Sequence, residues 1–351
     1  MKTTFISTSA ISAASRLSLV EIQTKLAAAQ KEVTTGRYAD VGLTLGYKAG
    51  QTVSLRQELA RLQTITDTNA VATARLDASQ AALADMIENV QGFIGQLIGA
   101  RDSASGPSVA QQQAKLGLGA FIDSLNTTID GAFVFSGINA DVKAVSAYIQ
   151  SPISPAQQAV ADAFQTTFGF PQSDPAAVNI TAVDMQAFLD TTFTDLFDAA
   201  GWTTNWSAAS DQNVKSRIST SELIETATNA NAEAFRDIAK AYTMVADLGI
   251  KELNDNAFQA VADEAIRVAG GAIQKLTQLQ SMLGTAQERI ANANDRMAIQ
   301  INVVTTHIGA LEGVDPAEAS TRVATLLTQI EVAYALTARI QRLSLLNYLP
   351  A

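Results

Sequence analysis

The sequence predicts a mainly α protein. Its N- and C-terminal segments are expected to form an elongated antiparallel helical or coiled-coil rod with a small α+β insert domain. Three observations predict this fold: apolar residues recur every seven positions near both ends, four of the seven prolines lie between Pro152 and Pro175, and eight of the thirteen phenylalanines lie between Phe133 and Trp206. Because proline inside a helix costs about 3 kcal/mol, long helices are expected in the flanks only.

The N-terminal arm carries a column of residues spaced by seven: Leu55, Leu62, Asn69, Leu76, Leu83, Val90 and Leu97. Such a column keeps one seam of a helix against a partner helix. We expect one helix over residues 51–105, ended by Gly106-Pro107, and a second helix over about 109–129. Asn69 interrupts the apolar column. It either fixes the register of the pairing or faces water, and we favour water.

The C-terminal arm carries a second column with the same spacing: Leu276, Leu283, Ile290, Met297, Val304 and Leu311. The last helix is expected to open at Asp315-Pro316, with Asp315 as its N-cap and Glu318 reaching back as in a capping box. Two such columns in one chain most simply pair with each other. The expected segments are an N-terminal assembly segment (1–50), two halves of the rod (51–139 and 216–312), a variable insert (140–215) and a C-terminal assembly helix (313–351).

The insert gives mixed signals. Alternation at Val178, Ile180 and Ala182 predicts a strand, whereas helical spacing holds for Phe188, Leu189, Phe193, Leu196 and Phe197. A set of aromatic residues could form either the core of the insert or a sugar-stacking surface, and we favour the core. This set is Phe164, Phe168, Phe170, Trp202 and Trp206.

Composition argues against several classes of function. The net charge of −10 disfavours a nucleic-acid binder. The chain has no cysteine and a single histidine, His307, which is a poor basis for a metal site or a catalytic triad. There is neither a phosphate-binding GxxxxGK motif, nor a secretory signal, nor an apolar run long enough to span a bilayer. We therefore expect a protein that is not an enzyme, with no cofactor and no membrane insertion.

Several short segments resemble the flagellin family, and within it the members that join the hook to the filament. They are Glu32–Asp40 (EVTTGRYAD), Phe133–Gly137 (FVFSG), the ending Leu343–Leu349 (LSLLNYL), and the stretch Trp206–Arg217 with Asn229, Asn231 and Phe235 of the helix that is expected to follow it. The resemblance covers roughly residues 1–140 and 206–349. It implies a structural subunit of the extracellular flagellum, exported unfolded by the flagellar type III apparatus without a cleaved signal, whose terminal helices order on assembly.

The resemblance also implies the partners: other copies of the chain in a junction ring, hook-associated protein 1, flagellin, and an export chaperone on the C-terminal helix. Two alternatives remain open, a filament subunit and a cell-surface homologue that binds polysaccharide through the aromatic insert. The residues expected to mediate packing and assembly are Leu19, Ile22, Leu26, Leu55, Leu62, Leu76, Leu83, Val90, Leu276, Leu283, Ile290, Met297, Val304, Ile330, Ile340 and Leu343.

Overall fold

The structure, a computed structural model, describes residues 8–103 and 105–342. Long helices account for most of these residues and the strands are few and short, so the predicted mainly α fold is confirmed. The chain forms two compact units. Of the described residues, one unit contains 8–64 and 297–342, and the other lies within Ile65–Arg296.

The terminal unit, residues 8–64 and 297–342, is helical throughout apart from its connections. Its elements are α1 (Thr8–Thr35), α2 (Val41–Leu45), a 3₁₀ turn (Gly46–Lys48), the first part of α3 (Ala49–Ala100), the last part of α10 (Asp255–Glu312), and α11 (Pro316–Arg342). Asp40 caps α2 by accepting a hydrogen bond from the Leu43 backbone N–H at 2.8 Å.

The central unit, Ile65–Arg296, holds the remaining elements and the main core. In chain order they are α4 (Gly106–Leu125), β1 (Thr128–Ile129), β2 (Ala132–Phe133), α5 (Pro155–Phe168), a 3₁₀ turn (Pro175–Asn179), α6 (Ala182–Asp190), α7 (Thr192–Asp195), α8 (Ala199–Asn205), β3 (Lys215–Arg217), β4 (Leu223–Glu225) and α9 (Glu233–Asp247). The strands form two antiparallel hairpins, in which Ile129 faces Ala132 and Ser216 faces Ile224.

Within the central unit, α3 and α10 run antiparallel. The side-chain amide of Gln80 donates to the Gln280 carbonyl at 2.8 Å, and the amide of Gln287 donates to Asp77 at 2.6 Å. The apolar members of both sevenfold columns that lie in this unit are buried in one continuous core with α4, α9 and the insert helices. They are Leu76, Leu83, Val90, Leu97, Leu276, Leu283 and Ile290. The pairing of the two heptad-bearing helices therefore occurs as the spacing predicts.

Asn69 lies in this antiparallel pairing, and the expectation that it faces water was wrong. Its side chain is 0 % exposed. The amide nitrogen donates to the Ile218 carbonyl at 3.0 Å and to Asn294 Oδ1 at 2.7 Å. These bonds replace the hydration of the amide nitrogen, while the amide oxygen is buried without a hydrogen-bond partner among the described residues. The alternative that Asn69 fixes the register fits these contacts.

Gly106-Pro107 begins a helix and does not end one, which corrects the predicted boundary. α3 ends at Ala100, and α4 opens at Gly106 with Pro107 in its first turn. A Cβ on Gly106 would lie 1.8 Å from the Ala100 carbonyl oxygen, so only glycine permits this close approach. α4 ends at Leu125, earlier than expected, because β1 starts three residues later.

The insert is helical between its flanking hairpins. The strand predicted over Val178, Ile180 and Ala182 was wrong: Pro175–Asn179 is a 3₁₀ turn and Ala182 starts α6. Thr181 is the N-cap of α6, and its hydroxyl accepts a hydrogen bond from the Asp184 N–H at 3.1 Å. The prediction that the aromatic set forms the core of the insert agrees with the structure for three of its members, because Phe164, Trp202 and Trp206 are buried.

Candidate assembly surface

Helix α1 packs along α11 in the terminal unit. Their polar contacts make the pair antiparallel: the Gln23 amide donates to the Tyr334 hydroxyl at 3.1 Å, and Arg322 donates to Glu32 at 2.8 Å. α11 opens as predicted, since Asp315 Oδ1 accepts from the Ala317 N–H at 2.8 Å. The capping-box role expected of Glu318 was wrong, because its carboxylate accepts instead from Arg322 at 2.8 Å.

Two helices alone cannot cover their apolar stripes, and this pair leaves much apolar surface in water. Among the described side chains of α1 and α11, the fully buried apolar ones are Ala29, Ala319 and Leu326. Large apolar side chains on both helices are exposed, with Val332 at 61 % and Leu336 at 54 %. The others are Leu17, Val20, Val33, Leu327 and Tyr334. Apolar surface of this extent is typical of an interaction surface.

A buried carboxylate joins the turn after α1 to the end of α10. The side chain of Glu312 is 1 % exposed and accepts a hydrogen bond from Arg56 Nε at 2.9 Å and a second from Arg56 Nη2. Arg37 Nη1 lies 3.9 Å from the same carboxylate. Backbone bonds reinforce the joint, because the Tyr38 N–H donates to the Glu312 carbonyl and the Val314 N–H donates to the Gly36 carbonyl, both at 3.0 Å.

The turn itself depends on Gly36 and Glu32. Gly36 ends α1 in the left-handed region (φ +65°), which glycine adopts without strain. Its N–H donates to the Glu32 carbonyl at 2.8 Å. The Glu32 side chain is buried and accepts from the Ala39 N–H at 3.2 Å as well as from Arg322. We call Glu32, Arg37, Arg56, Glu312 and Arg322 the joint cluster.

The predicted assembly residues fall into three groups. Those on α3 and α10 are buried except at the ends of the two columns, where Leu55 and Val304 are half-buried. The terminal positions Leu19, Ile22, Leu26 and Ile330 are half-buried on α1 and α11. The Ile340 side chain and Leu343 lie outside the described residues. The role of all of these positions in assembly stays a prediction.

No pattern in the sequence predicts the joint cluster. Arg37 and Glu32 belong to the EVTTGRYAD segment that carries the resemblance, but the resemblance implies no contact for either residue. A carboxylate at the end of a long apolar helix and two arginines far away in sequence give no periodic signal. A hint was available only in Gly36, since glycine after a helical stripe indicates a turn.

The described residues contain no group of three or more carboxylate, imidazole or thiol side chains that could hold a metal ion, and His307 is exposed on α10. In the part of the chain that the structure describes, no helix combines the length and hydropathy needed to cross a bilayer.

The joint cluster predicts a pH dependence. The Arg56 hydrogen bond holds the pKa of Glu312 below its ordinary value of 4.5, so the ionised form favours the folded state. This stabilisation is present above about pH 4.5 and is lost as the pH falls through the lower, folded-state pKa. Glu312→Gln should weaken the joint by about 1–3 kcal/mol at neutral pH and by less in acid.

Hydrogen exchange of the Tyr38 and Val314 amides, corrected for intrinsic rates, measures this effect at the joint itself. Glu21→Gln is the matched control, because it removes an exposed carboxylate from the same unit whose ion pair is with Lys25, outside the joint cluster. An equal loss of protection for both variants, or a Glu312→Gln effect that does not shrink in acid, would contradict the prediction.

Comparison with known proteins agrees with this architecture. The model of the bacterial flagellin N-terminal helical region matches residues 6–140, and that of the bacterial flagellin C-terminal helical region matches residues 266–349. No curated protein matches the sequence closely enough to count as a relative.

Among solved structures, the chain resembles a protein from Vibrio parahaemolyticus described as a flagellar hook-associated protein. The TM-score is 0.51 at 9 % identity, over 76 % of this chain and 97 % of that one. This structural similarity shows that the two proteins share a fold. With both helical regions matched, over the same residues that form the antiparallel helix pairs, this chain belongs to the flagellin family and is a structural component of the bacterial flagellum.

Proposed function

We propose that the chain forms the junction ring between hook and filament by polymerising through its terminal helices. The observation that carries the proposal is the apolar surface left exposed on α1 and α11. Covering it with neighbouring copies would remove several large side chains from water, at about 25 cal/mol per Å² of apolar area.

The partners follow from this position. The ring contacts other copies of the chain laterally, hook-associated protein 1 on the hook side and flagellin on the filament side. Before assembly, an export chaperone would cover the exposed stripe of α11. Two features support the junction over other flagellar positions: the Phe133–Gly137 element with the Leu343–Leu349 ending, and the description of the Vibrio parahaemolyticus protein as hook-associated.

A deletion strain tests the proposal. Loss of a junction protein should leave hooks without filaments, and flagellin should collect in the medium as monomer. Electron microscopy of the cells and immunoblots of the supernatant measure the two outcomes. Normal filaments in the deletion strain would overturn the junction role.

Complementation by point variants tests the surface. Val332→Glu places a charge on the exposed stripe of α11, where it should leave folding intact but prevent assembly, since an unpaired charge in an interface costs several kcal/mol. Val183→Glu makes the same change at an exposed position of α6 and should restore swimming. Equal complementation by both variants would exclude α11 as the contact.

A filament subunit is the second candidate, favoured by the fact that both matching family models describe flagellin itself. The same deletion strain separates the two. Loss of one filament subunit leaves the junction in place, so another flagellin can still polymerise on it.

A further inference from the structure

A groove of about 530 Å³ opens on the surface of the insert between α5, the Pro175–Asn179 turn and α6. Its wall is aromatic: Phe168 and Phe170 are half-buried, with ring planes 28° apart and centroids at 6.4 Å. Phe188 also lines the groove and is almost completely buried. The centroid of its ring lies 5.3 Å from that of Phe168. The volume lies within the range of small-molecule binding sites.

The aromatic wall is distinct from the aromatic core behind it. Phe164 and Trp202 are completely buried and can touch no ligand. Phe168 and Phe170 keep part of each ring accessible although they contact this core. Accessible rings that are held by a rigid core form a platform on which a flat apolar face can stack.

Polar groups border the platform. Asn179, Asp184 and Thr191 line the groove and are exposed. Asp184 accepts from Thr181 through Oδ2 at 2.8 Å, which fixes its carboxylate while Oδ1 has no partner among the described residues. The Thr191 hydroxyl donates to the Ala187 carbonyl at 2.7 Å and keeps its lone pairs for a second donor. The groove thus offers hydrogen-bond acceptors, together with an amide that both donates and accepts.

The charges of the groove narrow the ligand class. None of the described residues that line it is basic, and Asp184 is acidic, so phosphates, uronic acids and other anions are disfavoured. A pyranose ring has one flat face of C–H groups and an edge of hydroxyl donors. These match the phenylalanine platform and the acceptors at its border.

We propose that this groove binds a neutral saccharide. One sugar ring stacks on Phe168 and Phe170, and its hydroxyls donate to Asp184 and Thr191 and exchange hydrogen bonds with Asn179. The proposal does not rest on the place of the chain in the flagellum, because it concerns a surface of the single subunit.

Calorimetric titration of the full chain with cellobiose, maltose and N,N′-diacetylchitobiose tests it, with glucuronic acid and choline chloride as anionic and cationic probes. At least one neutral disaccharide should bind, while both charged probes give no heat. Absence of heat with all three disaccharides, or binding of choline alone, would overturn the proposal.

Variants then locate the site. Phe170→Ala removes half of the platform, and Ala187→Arg fills the groove without touching the aromatic core; each should weaken binding at least about tenfold, equivalent to about 1.4 kcal/mol. Val183→Ala, on the same helix but outside the groove, is the matched control and should bind as the unchanged chain does. Unchanged affinity in Ala187→Arg would place the saccharide elsewhere and overturn the assignment, even if Phe170→Ala fails to fold.

Discussion

Leu83→Asp is expected to lower the free energy of unfolding of the central unit by about 4 kcal/mol. Leu83 is 0 % exposed in the seam of α3, and aspartate there would bury a carboxylate in the apolar core. The same change at Ile290, on the facing helix α10, should have a similar effect because that side chain is 1 % exposed. Chemical denaturation at neutral pH measures both.

Val71→Asp is the matched control, since Val71 lies on the same helix with most of its side chain in water. It should change the unfolding free energy by less than about 0.5 kcal/mol. Denaturation curves of Leu83→Asp and Ile290→Asp that superimpose on that of the unchanged chain would refute the pairing of α3 with α10.

The helix pairing could be predicted from the sequence because its signal is repeated. Each sevenfold position adds one more apolar residue to the same face, so errors at single positions do not change the result. Leu76, Leu83 and Val90 on α3 and Leu276 and Ile290 on α10 are all almost completely buried. The start of α11 was also predictable, since Asp315 makes its capping bond within two residues.

Single-residue features were harder to predict because they depend on contacts between distant segments. Gly106-Pro107 is a sequence typical of a helix end, and nothing in the neighbouring residues indicates that Gly106 lies against the Ala100 carbonyl. The 3₁₀ turn at Pro175–Asn179 has strand-like alternation, but Asp174 caps it through a 2.8 Å bond to the Ala176 N–H. Local capping overrode the alternation in that segment.

The joint cluster and the groove on the insert could not be predicted either, because they also depend on contacts between distant segments. Glu312 lies more than 250 residues from Arg56, and its buried position follows only once α10 and α3 are folded. Of the five aromatic residues first considered for a sugar surface, the three buried ones form core and only Phe168 and Phe170 reach the groove. Composition grouped them, but the fold decides which rings remain accessible.

Asn69→Asp is the second variant for which we expect a large effect, about 3 kcal/mol of destabilisation at neutral pH. The amide nitrogen of Asn69 supplies both hydrogens in its bonds to Ile218 and Asn294. A carboxylate supplies none, and it would face the Ile218 carbonyl oxygen in a buried site. Asn294 can rotate its amide to donate, but the Ile218 carbonyl then has no donor.

Burial should raise the pKa of the new carboxyl above that of an unfolded aspartate, about 3.9. The destabilisation is therefore complete above the raised folded-state pKa and decreases as the pH falls below the unfolded value. A protonated carboxyl can donate one hydrogen bond there, so the loss of the second bond remains. Unfolding free energies of Asn69→Asp, measured from neutral to acid pH and compared with those of the unchanged chain, give this profile.

Asn69→Leu separates the hydrogen bonds from the packing. It fills the site with an apolar residue of similar size and costs less than Asn69→Asp, because no charge is buried and Asn294, which is half-buried, can bond to water. If Asn69 pins the register, the leucine variant also loses protection of the β3–β4 hairpin in hydrogen exchange, since its anchor at Ile218 is gone. Unchanged stability of the aspartate variant at neutral pH, or full protection of the hairpin in the leucine variant, would show that these hydrogen bonds do not determine the pairing of α3 with α10.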